Sequence, residues 1–146
     1  MGLAERRAIQ AYQTDQLPKL LQGIHKAAGF EVPIDIDWVT LAGDDVNFVG
    51  SEKEYYTEIF FLPLTDALKQ ITVDAMGKEA LKKGLKKIVM KFDKDTAPVS
   101  NYVDGWPFDK GVLTINYQPG CNTGGPDTSN YQERVDALRK ILEAKL

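Results

Sequence analysis

Residues 32–38 read Val-Pro-Ile-Asp-Ile-Asp-Trp, and this stretch decides the predicted fold. Apolar side chains alternate with a proline and two aspartates, so an extended chain has one apolar face and one acidic face. The pattern predicts a half-buried strand from Val32 to Trp38. Because Pro33 cannot donate a hydrogen bond to a neighbouring strand, it belongs at the start of the strand or on the edge of a sheet.

Outward from this strand, apolar spacing predicts four helical segments and two more strands. The helices cover roughly residues 17–28, 64–77, 78–85 and 129–145, and the strands cover residues 88–92 and 112–117. Gly29 can end the first helix in a left-handed conformation. Ser129 and Gln132 have the spacing of a capping box at the start of the last helix. Residues 93–104 are expected to form a loop, and residues 109–111 a turn.

Three stretches are less determined by their pattern. Asp15 can cap a helix whose first turn contains Pro18, so the preceding arm is either a separate short helix or part of one helix kinked there. Residues 55–61 fit a strand or a helix, and we favour a strand. Residues 41–50 contain glycine, aspartate and asparagine, which predict a turn.

The resulting order of elements is α-β-(β)-α-α-β-β-α. Because strands and helices do not alternate strictly, a doubly wound parallel sheet is disfavoured. We predict an α+β fold in which about four helices pack on a small antiparallel or mixed sheet of three to four strands. No repeat or linker divides the chain, so residues 1–146 are expected to form a single globular domain.

The composition is that of a globular protein. Hydrophobic residues make up 43% of the 146 positions, so the chain can bury a core without a disulfide or a metal. The net charge of -3 opposes binding to nucleic acid, and the longest apolar run, residues 59–64, is too short to cross a bilayer. Cys121 is the only cysteine, which fits a reducing compartment. We therefore expect a cytoplasmic protein with no membrane and no nucleic-acid partner.

The charges are segregated along the chain. Residues 31–58 contain eight carboxylates and one lysine, whereas residues 76–94 contain seven lysines and two carboxylates. The lysine run contains no arginine and has few aromatic residues for base stacking, which again disfavours nucleic acid. Our first functional hypothesis is a non-enzymatic binding or regulatory module that acts through protein contacts, either with a protein partner or by self-association.

Asp35 and Asp37 share the acidic face of the predicted strand, with Asp44 and Asp45 following closely. Such carboxylates suit Mg²⁺ or Ca²⁺, but their spacing matches no EF-hand loop. Charges on an exposed edge strand also prevent unwanted pairing, and we favour that explanation. With one cysteine and one histidine, His25, the chain lacks a cysteine and histidine tetrahedron for zinc. We predict neither a metal nor a cofactor.

Two other features near the last helix are candidate sites. The glycine-rich loop 119–127 precedes a helix N-terminus, where free amides can hold an anion, but it lacks a P-loop pattern and fits a simple connection better. Tyr102, Trp106 and Phe108 cluster near Asp104 and the turn that contains Asp109. The alternative hypothesis is therefore a small-molecule binding protein or hydrolase with its site near this aromatic loop and one of these aspartates as acid or base. The same rings could equally cover an edge of the core.

Overall fold

The computed structural model describes residues 2–42 and 48–146. The strands are β1 (Ile34–Ile36), β2 (Lys87–Lys91), β3 (Phe108–Asp109) and β4 (Val112–Asn116). The helices are α1 (Leu3–Asp15), α2 (Leu17–Ala28), α3 (Trp38–Ala42), a π-helix (Lys53–Phe61), α4 (Leu62–Ile71), α5 (Ala75–Gly84), α6 (Tyr102–Gly105) and α7 (Ser129–Glu143). In this part of the chain no helix is long and apolar enough to span a membrane.

The four strands form one mixed sheet in the order β1-β2-β4-β3. The first three strands are parallel, and β3 runs antiparallel to β4 through the hairpin turn at Lys110 and Gly111, both with positive φ. Ile88 lies between Ile34 and Leu113 in register. The prediction of an α+β fold with a small mixed sheet is confirmed, and the order of elements agrees roughly with the predicted one.

The sheet has one apolar face, which the helices cover. Ile88, Met90, Leu113 and Ile115 alternate along β2 and β4 and are fully buried, whereas residues of opposite orientation such as Val89 are only half-buried. On the covered side α4 packs between α2 and α7. This arrangement follows the rule that apolar side chains two apart line the same face of a sheet.

The strand predicted for residues 32–38 is shorter than expected. Ile34 and Ile36 are half-buried and Asp35 is exposed, so the predicted alternation is present. The prediction that the strand continues to Trp38 is wrong. The Asp37 main-chain N–H still donates to Met90 O at 2.9 Å, but its carboxylate accepts a hydrogen bond from the N–H of Thr40, which starts α3 at Trp38.

Residues 55–61 do not form a strand. They belong to the π-helix, whose buried residues are Tyr56, Thr57, Ile59, Phe60 and Phe61. A strand that is covered on one side buries every second residue, and this segment instead buries neighbours in sequence. A π-helix has hydrogen bonds between residues i and i+5 and a wider turn than an α-helix. Its bulky side chains pack against α2, α4 and α7.

The helix boundaries resolve the other open points. The arm before Pro18 is a separate helix, α1, and Pro18 lies in the first turn of α2. Gly29 ends α2 with φ 88°, as predicted.

The residue that caps α7 is Thr128 rather than Ser129, because the Thr128 hydroxyl accepts a hydrogen bond from the N–H of Tyr131. The predicted loop 93–104 contains the start of α6, and the predicted turn 41–50 lies partly in α3 and partly outside the described residues.

The helix predicted from Leu64 to about Gly77 is two helices. α4 ends at Ile71, and α5 begins after Asp74, whose carboxylate accepts a hydrogen bond of 2.8 Å from the N–H of Gly77. Gly77 therefore lies in the first turn of α5 and not at a helix end. A side chain at this position would overlap the main-chain carbonyl of Ile71, so the close turn between α4 and α5 requires a glycine.

We expect Gly77→Ala to lower the free energy of unfolding by about 1–3 kcal/mol, because the added Cβ must push the Ile71 carbonyl away. The matched control is Gly23→Ala in the interior of α2, where an added Cβ meets nothing within 4 Å. That change should raise the free energy of unfolding by about 0.5–1 kcal/mol. Urea unfolding of both variants measures the difference, and equal effects would contradict the close contact at Gly77.

Candidate functional site

The aromatic residues predicted as a candidate site lie at the edge of the core beside α7. Tyr102, Trp106 and Phe108 are 3%, 1% and 5% exposed. The rings of Tyr102 and Trp106 stack with centroids 4.7 Å apart, and the indole N–H of Trp106 donates to Asn116 O at 2.9 Å. These contacts fix the segment against β4, and they show that the three rings cover the core rather than project into solvent.

A shallow cavity of about 240 Å³ nevertheless adjoins Trp106. We name it the α6–α7 groove, and its lining residues are Val103, Asp104, Trp106, Pro107, Phe108, Lys140, Ile141, Ala144 and Lys145. The inner part is apolar, and the polar ends of Asp104, Lys140 and Lys145 stand at its rim. Val103 is 47% exposed at the groove although it is apolar.

The polar groups at the rim differ in how they are engaged. Asp104 accepts a hydrogen bond of 2.8 Å from the side-chain amide of Asn101. The Lys145 ammonium donates to Phe108 O, which ties the end of the chain to β3. Lys140 is exposed on α7. The groove therefore offers an apolar floor with two cations and one carboxylate beside it, and the excess of positive charge suits an apolar group that is attached to an anion.

Other lysines lie on segments next to the groove, because the ends of several helices and strands come together there. The N–H groups of Lys86 and Lys87 donate to Gly111 O, so the start of β2 lies beside the β3–β4 turn. Leu146 would touch a side chain at Gly84, so α5 ends near the end of α7. We name the exposed lysines of these segments the lysine surface, which consists of Lys82, Lys83, Lys86, Lys110, Lys140 and Lys145.

Arg134 of α7 lies beneath the aromatic segment and is 0% exposed. Its guanidinium is 5.6 Å from the ring centroid of Tyr102 and 4.9 Å from that of Tyr117. One guanidinium nitrogen donates to the main-chain oxygens of Cys121 and Asn122. Burial, helped by Tyr102 and the Cys121 thiol, raises the pKa of Tyr117 well above its usual value.

The predicted acidic sites have structural partners. Asp35 pairs with Lys87 on the neighbouring strand at 2.5 Å, and Asp37 starts α3 as described above. Asp44 and Asp45 lie outside the described residues. Within the part of the chain that the structure describes, no group of three or more side chains of the metal-binding types comes together. The structure thus separates the roles of Asp35 and Asp37, and it brings neither of them to the α6–α7 groove.

The remaining candidates take part in chain connections. The His25 ring forms a hydrogen bond of 3.0 Å with the main-chain oxygen of Val32, across the turn that follows α2. Cys121 is half-buried in the loop 119–127, and that loop crosses Arg134 as described above. Gly120 has φ 86° and lies against the ring of Tyr55. The loop therefore connects β4 to α7 in close contact with the π-helix.

Arg134, Lys140 and Lys145 are not among the site residues predicted from the sequence. Arg134 has a signal in the sequence, since it lies three residues after Tyr131 and four before Leu138, within the apolar stripe of α7. The two lysines had none, because only the tertiary structure brings the end of α7 to Phe108. Comparison with models of known protein families, with curated proteins and with solved structures gave no match to this chain.

Proposed function

We propose that this chain is a non-enzymatic binding module that acts through protein contacts, and that the α6–α7 groove holds an acidic segment of a partner protein. The observation that carries the proposal is the apolar groove beside Trp106 with lysines on its rim and around it. An apolar side chain of the partner enters the groove, and neighbouring carboxylates face the lysine surface.

The size of the groove supports a side chain as its occupant. Pockets for drug-sized ligands usually measure about 300–1,000 Å³, and this groove is smaller, at about 240 Å³. Protein interfaces commonly place one apolar residue in a small, well-packed pocket surrounded by polar contacts. The half-exposed Val103 extends the apolar area beyond the floor, so a partner could cover it as well.

The charges support an acidic partner. The lysine surface combines lysines from α5, the β3–β4 turn and α7, although these are far apart in the sequence. Asp35 of the acidic region pairs with Lys87, which is not one of the lysines of this surface. Complementary charge mainly speeds association and selects the partner, so binding should depend strongly on salt.

We expect Lys110→Glu combined with Lys140→Glu to weaken binding of an acidic peptide about tenfold, since each reversed charge on the lysine surface costs about 0.5–1 kcal/mol. The probe is a fluorescein-labelled polyglutamate peptide with one central leucine, measured by fluorescence anisotropy at low salt. The matched control is Lys19→Glu with Lys69→Glu, which makes the same change of charge at exposed positions outside the groove.

The peptide with alanine in place of leucine tests the apolar contact, and it should bind more weakly than the leucine peptide. In ¹H–¹⁵N spectra the indole signal of Trp106 and the amide of Ala144 should shift on binding. Equal loss in both charge variants would show that only overall charge matters and would contradict the proposal. Light scattering of the free protein measures self-association. A dimer would identify a second copy of the chain, rather than another protein, as the partner.

The alternative function is a small-molecule binding protein or hydrolase at the same groove, and the apolar cavity beside Trp106 is the observation that favours it. Asp104 or the exposed Asp109 would then supply the acid or base. A thermal-shift screen with metabolites tests this function directly, because a ligand at a hundredfold excess over Kd stabilises by about 2.7 kcal/mol. A metabolite that stabilises the chain and competes with the acidic peptide would favour the alternative.

A further inference from the structure

The guanidinium of Arg134 is buried, and none of the residues that the structure describes gives it a carboxylate partner. Within residues 2–42 and 48–146 its Nε and Nη1 atoms have no hydrogen-bond partner, and the side chain has no exposed surface. The ion pairs among the described residues are Lys87 with Asp35 and Arg139 with Glu143, and neither includes Arg134. Buried arginines are normally paired with an anion or fully hydrogen-bonded, so this one is an exception that needs an explanation.

The groups around Arg134 compensate its charge only in part. The carbonyl oxygens of Cys121 and Asn122 share a single nitrogen of the guanidinium, Nη2, at 3.1 and 2.5 Å. The rings of Tyr102 and Tyr117 add cation–π attraction, and the Tyr117 hydroxyl also interacts with the guanidinium. Neither tyrosine accepts a hydrogen bond from Nε or Nη1. What the site lacks is therefore a negatively charged acceptor for the two remaining nitrogens.

The surroundings of Arg134 favour a small anion as that acceptor. The loop 119–127 passes over the guanidinium, and α7 begins just beyond it. The positive end of a long helix therefore adds to the charge of the arginine. Three residues of the loop, Gly120, Asn122 and Gly124, have positive φ. A side chain at Gly120 would meet the ring of Tyr55, and one at Gly124 would meet Thr128, so the path of the loop depends on glycine at both positions.

We infer that Arg134 binds a small oxyanion, of the phosphate or carboxylate type, beneath the loop 119–127. The anion's oxygens accept hydrogen bonds from Nε or Nη1, the donors that the protein itself leaves unpaired. Because the arginine has no exposed surface, the loop opens for the anion to enter. The hydroxyl of Tyr117 holds the loop closed, since it donates to Val99 O and accepts from the side-chain amide of Asn122.

The test is the melting temperature of the full chain in inorganic phosphate or in acetate, each compared with chloride at the same ionic strength. A bound anion should raise Tm along a saturating curve, by roughly 6–10 °C at a hundredfold excess over Kd. General salt effects rise without saturation, so the shape of the curve separates them from binding. Comparison of the two anions shows whether the site prefers phosphate or carboxylate.

Arg134→Met removes the donors while keeping a side chain of similar length, and it should abolish the saturating response. Arg139→Met is the matched control, since Arg139 lies on the same helix but pairs with Glu143 at the surface, and it should keep the response. If the Arg134→Met variant does not fold, the side-chain Nε–H signal of Arg134 in the unchanged protein is the second measurement. That signal should shift with phosphate or acetate along the same curve. Absence of any saturating rise, or the same rise in both variants, would overturn the inference.

Discussion

Raising the pH from about 9 to about 11 is expected to lower the free energy of unfolding by roughly 5 kcal/mol. The reason is a set of buried tyrosines, none more than 4% exposed, whose pKa values in the folded protein lie well above the usual value of 10.0. They are Tyr12, Tyr56, Tyr117 and Tyr131. Urea unfolding at several pH values, or alkaline denaturation followed by circular dichroism, measures the effect.

The sign follows from proton binding. In all four tyrosines burial is the main cause of the raised pKa. Carboxylates add to it in Tyr12, Tyr56 and Tyr131, for example Asp66, which accepts a hydrogen bond of 2.5 Å from the Tyr131 hydroxyl. Below about pH 10 both states keep the phenol protonated, so stability is unaffected. Above that pH the unfolded chain loses protons that the folded protein retains, and each tyrosine then costs about 1.4 kcal/mol per pH unit.

Tyr56→Phe provides the control for this pH dependence. The Tyr56 hydroxyl donates to Leu41 O, so its loss should cost about 1 kcal/mol near neutral pH. The decline of stability above about pH 10 should become shallower by roughly a quarter, because one of four protonated phenols is gone. A folded protein as stable at pH 11 as at pH 9 would show that these hydroxyls ionise freely and are not buried.

The second large effect is expected for Trp106→Ala, which should lower the free energy of unfolding by about 3–5 kcal/mol. The substitution removes a fully buried ring that stacks on Tyr102, and it leaves Asn116 O without the indole donor. It also widens the floor of the α6–α7 groove, so the leucine peptide should bind more weakly to any variant that still folds. Urea unfolding, with folding checked by circular dichroism, provides the measurement.

Two substitutions in the same segment separate packing from hydrogen bonding. Trp106→Phe keeps most of the buried ring and should cost less, about 1–3 kcal/mol, chiefly through the unpaired carbonyl. Val103 lies in α6, just before Trp106, and is half-exposed, so Val103→Ala should change stability by no more than about 0.5 kcal/mol. A loss below about 1 kcal/mol for Trp106→Ala would contradict the close packing of the indole.

The sequence pattern of neighbouring residues predicted the elements that are buried on one face only and the turns that end them. The alternation at residues 34–36, the helix ended by Gly29 and the hairpin turn at Lys110 and Gly111 each depend on a few neighbouring residues. The π-helix was misread because its apolar residues are packed from several directions, so no single period describes them. The strand also ended before Trp38, because a local hydrogen bond of Asp37 competes with the sheet.

The candidate site was likewise predictable only where its residues are close along the chain. The aromatic residues 102–108 were recognisable in the sequence as a cluster, since they are close along the chain. Their burial was not, because it depends on tertiary contacts such as that of Trp106 with Asn116. Neither were Lys140 and Lys145 at the rim of the groove, because they meet residues 103–108 from more than thirty positions away. Arg134 was visible only as an irregularity in the apolar stripe of α7.

The sequence by itself determined that this chain folds as an α+β protein with a small sheet, one apolar face and segregated charge, because short-range periodicity fixes which side of each element is buried. Only the tertiary structure decided where those charges and rings meet. Packing of α5, the β3–β4 turn and the end of α7 against one another brought their lysines near one groove, and packing of α7 buried Arg134 beneath a loop. Such long-range contacts depend on the summed packing of the whole core, which no local pattern encodes.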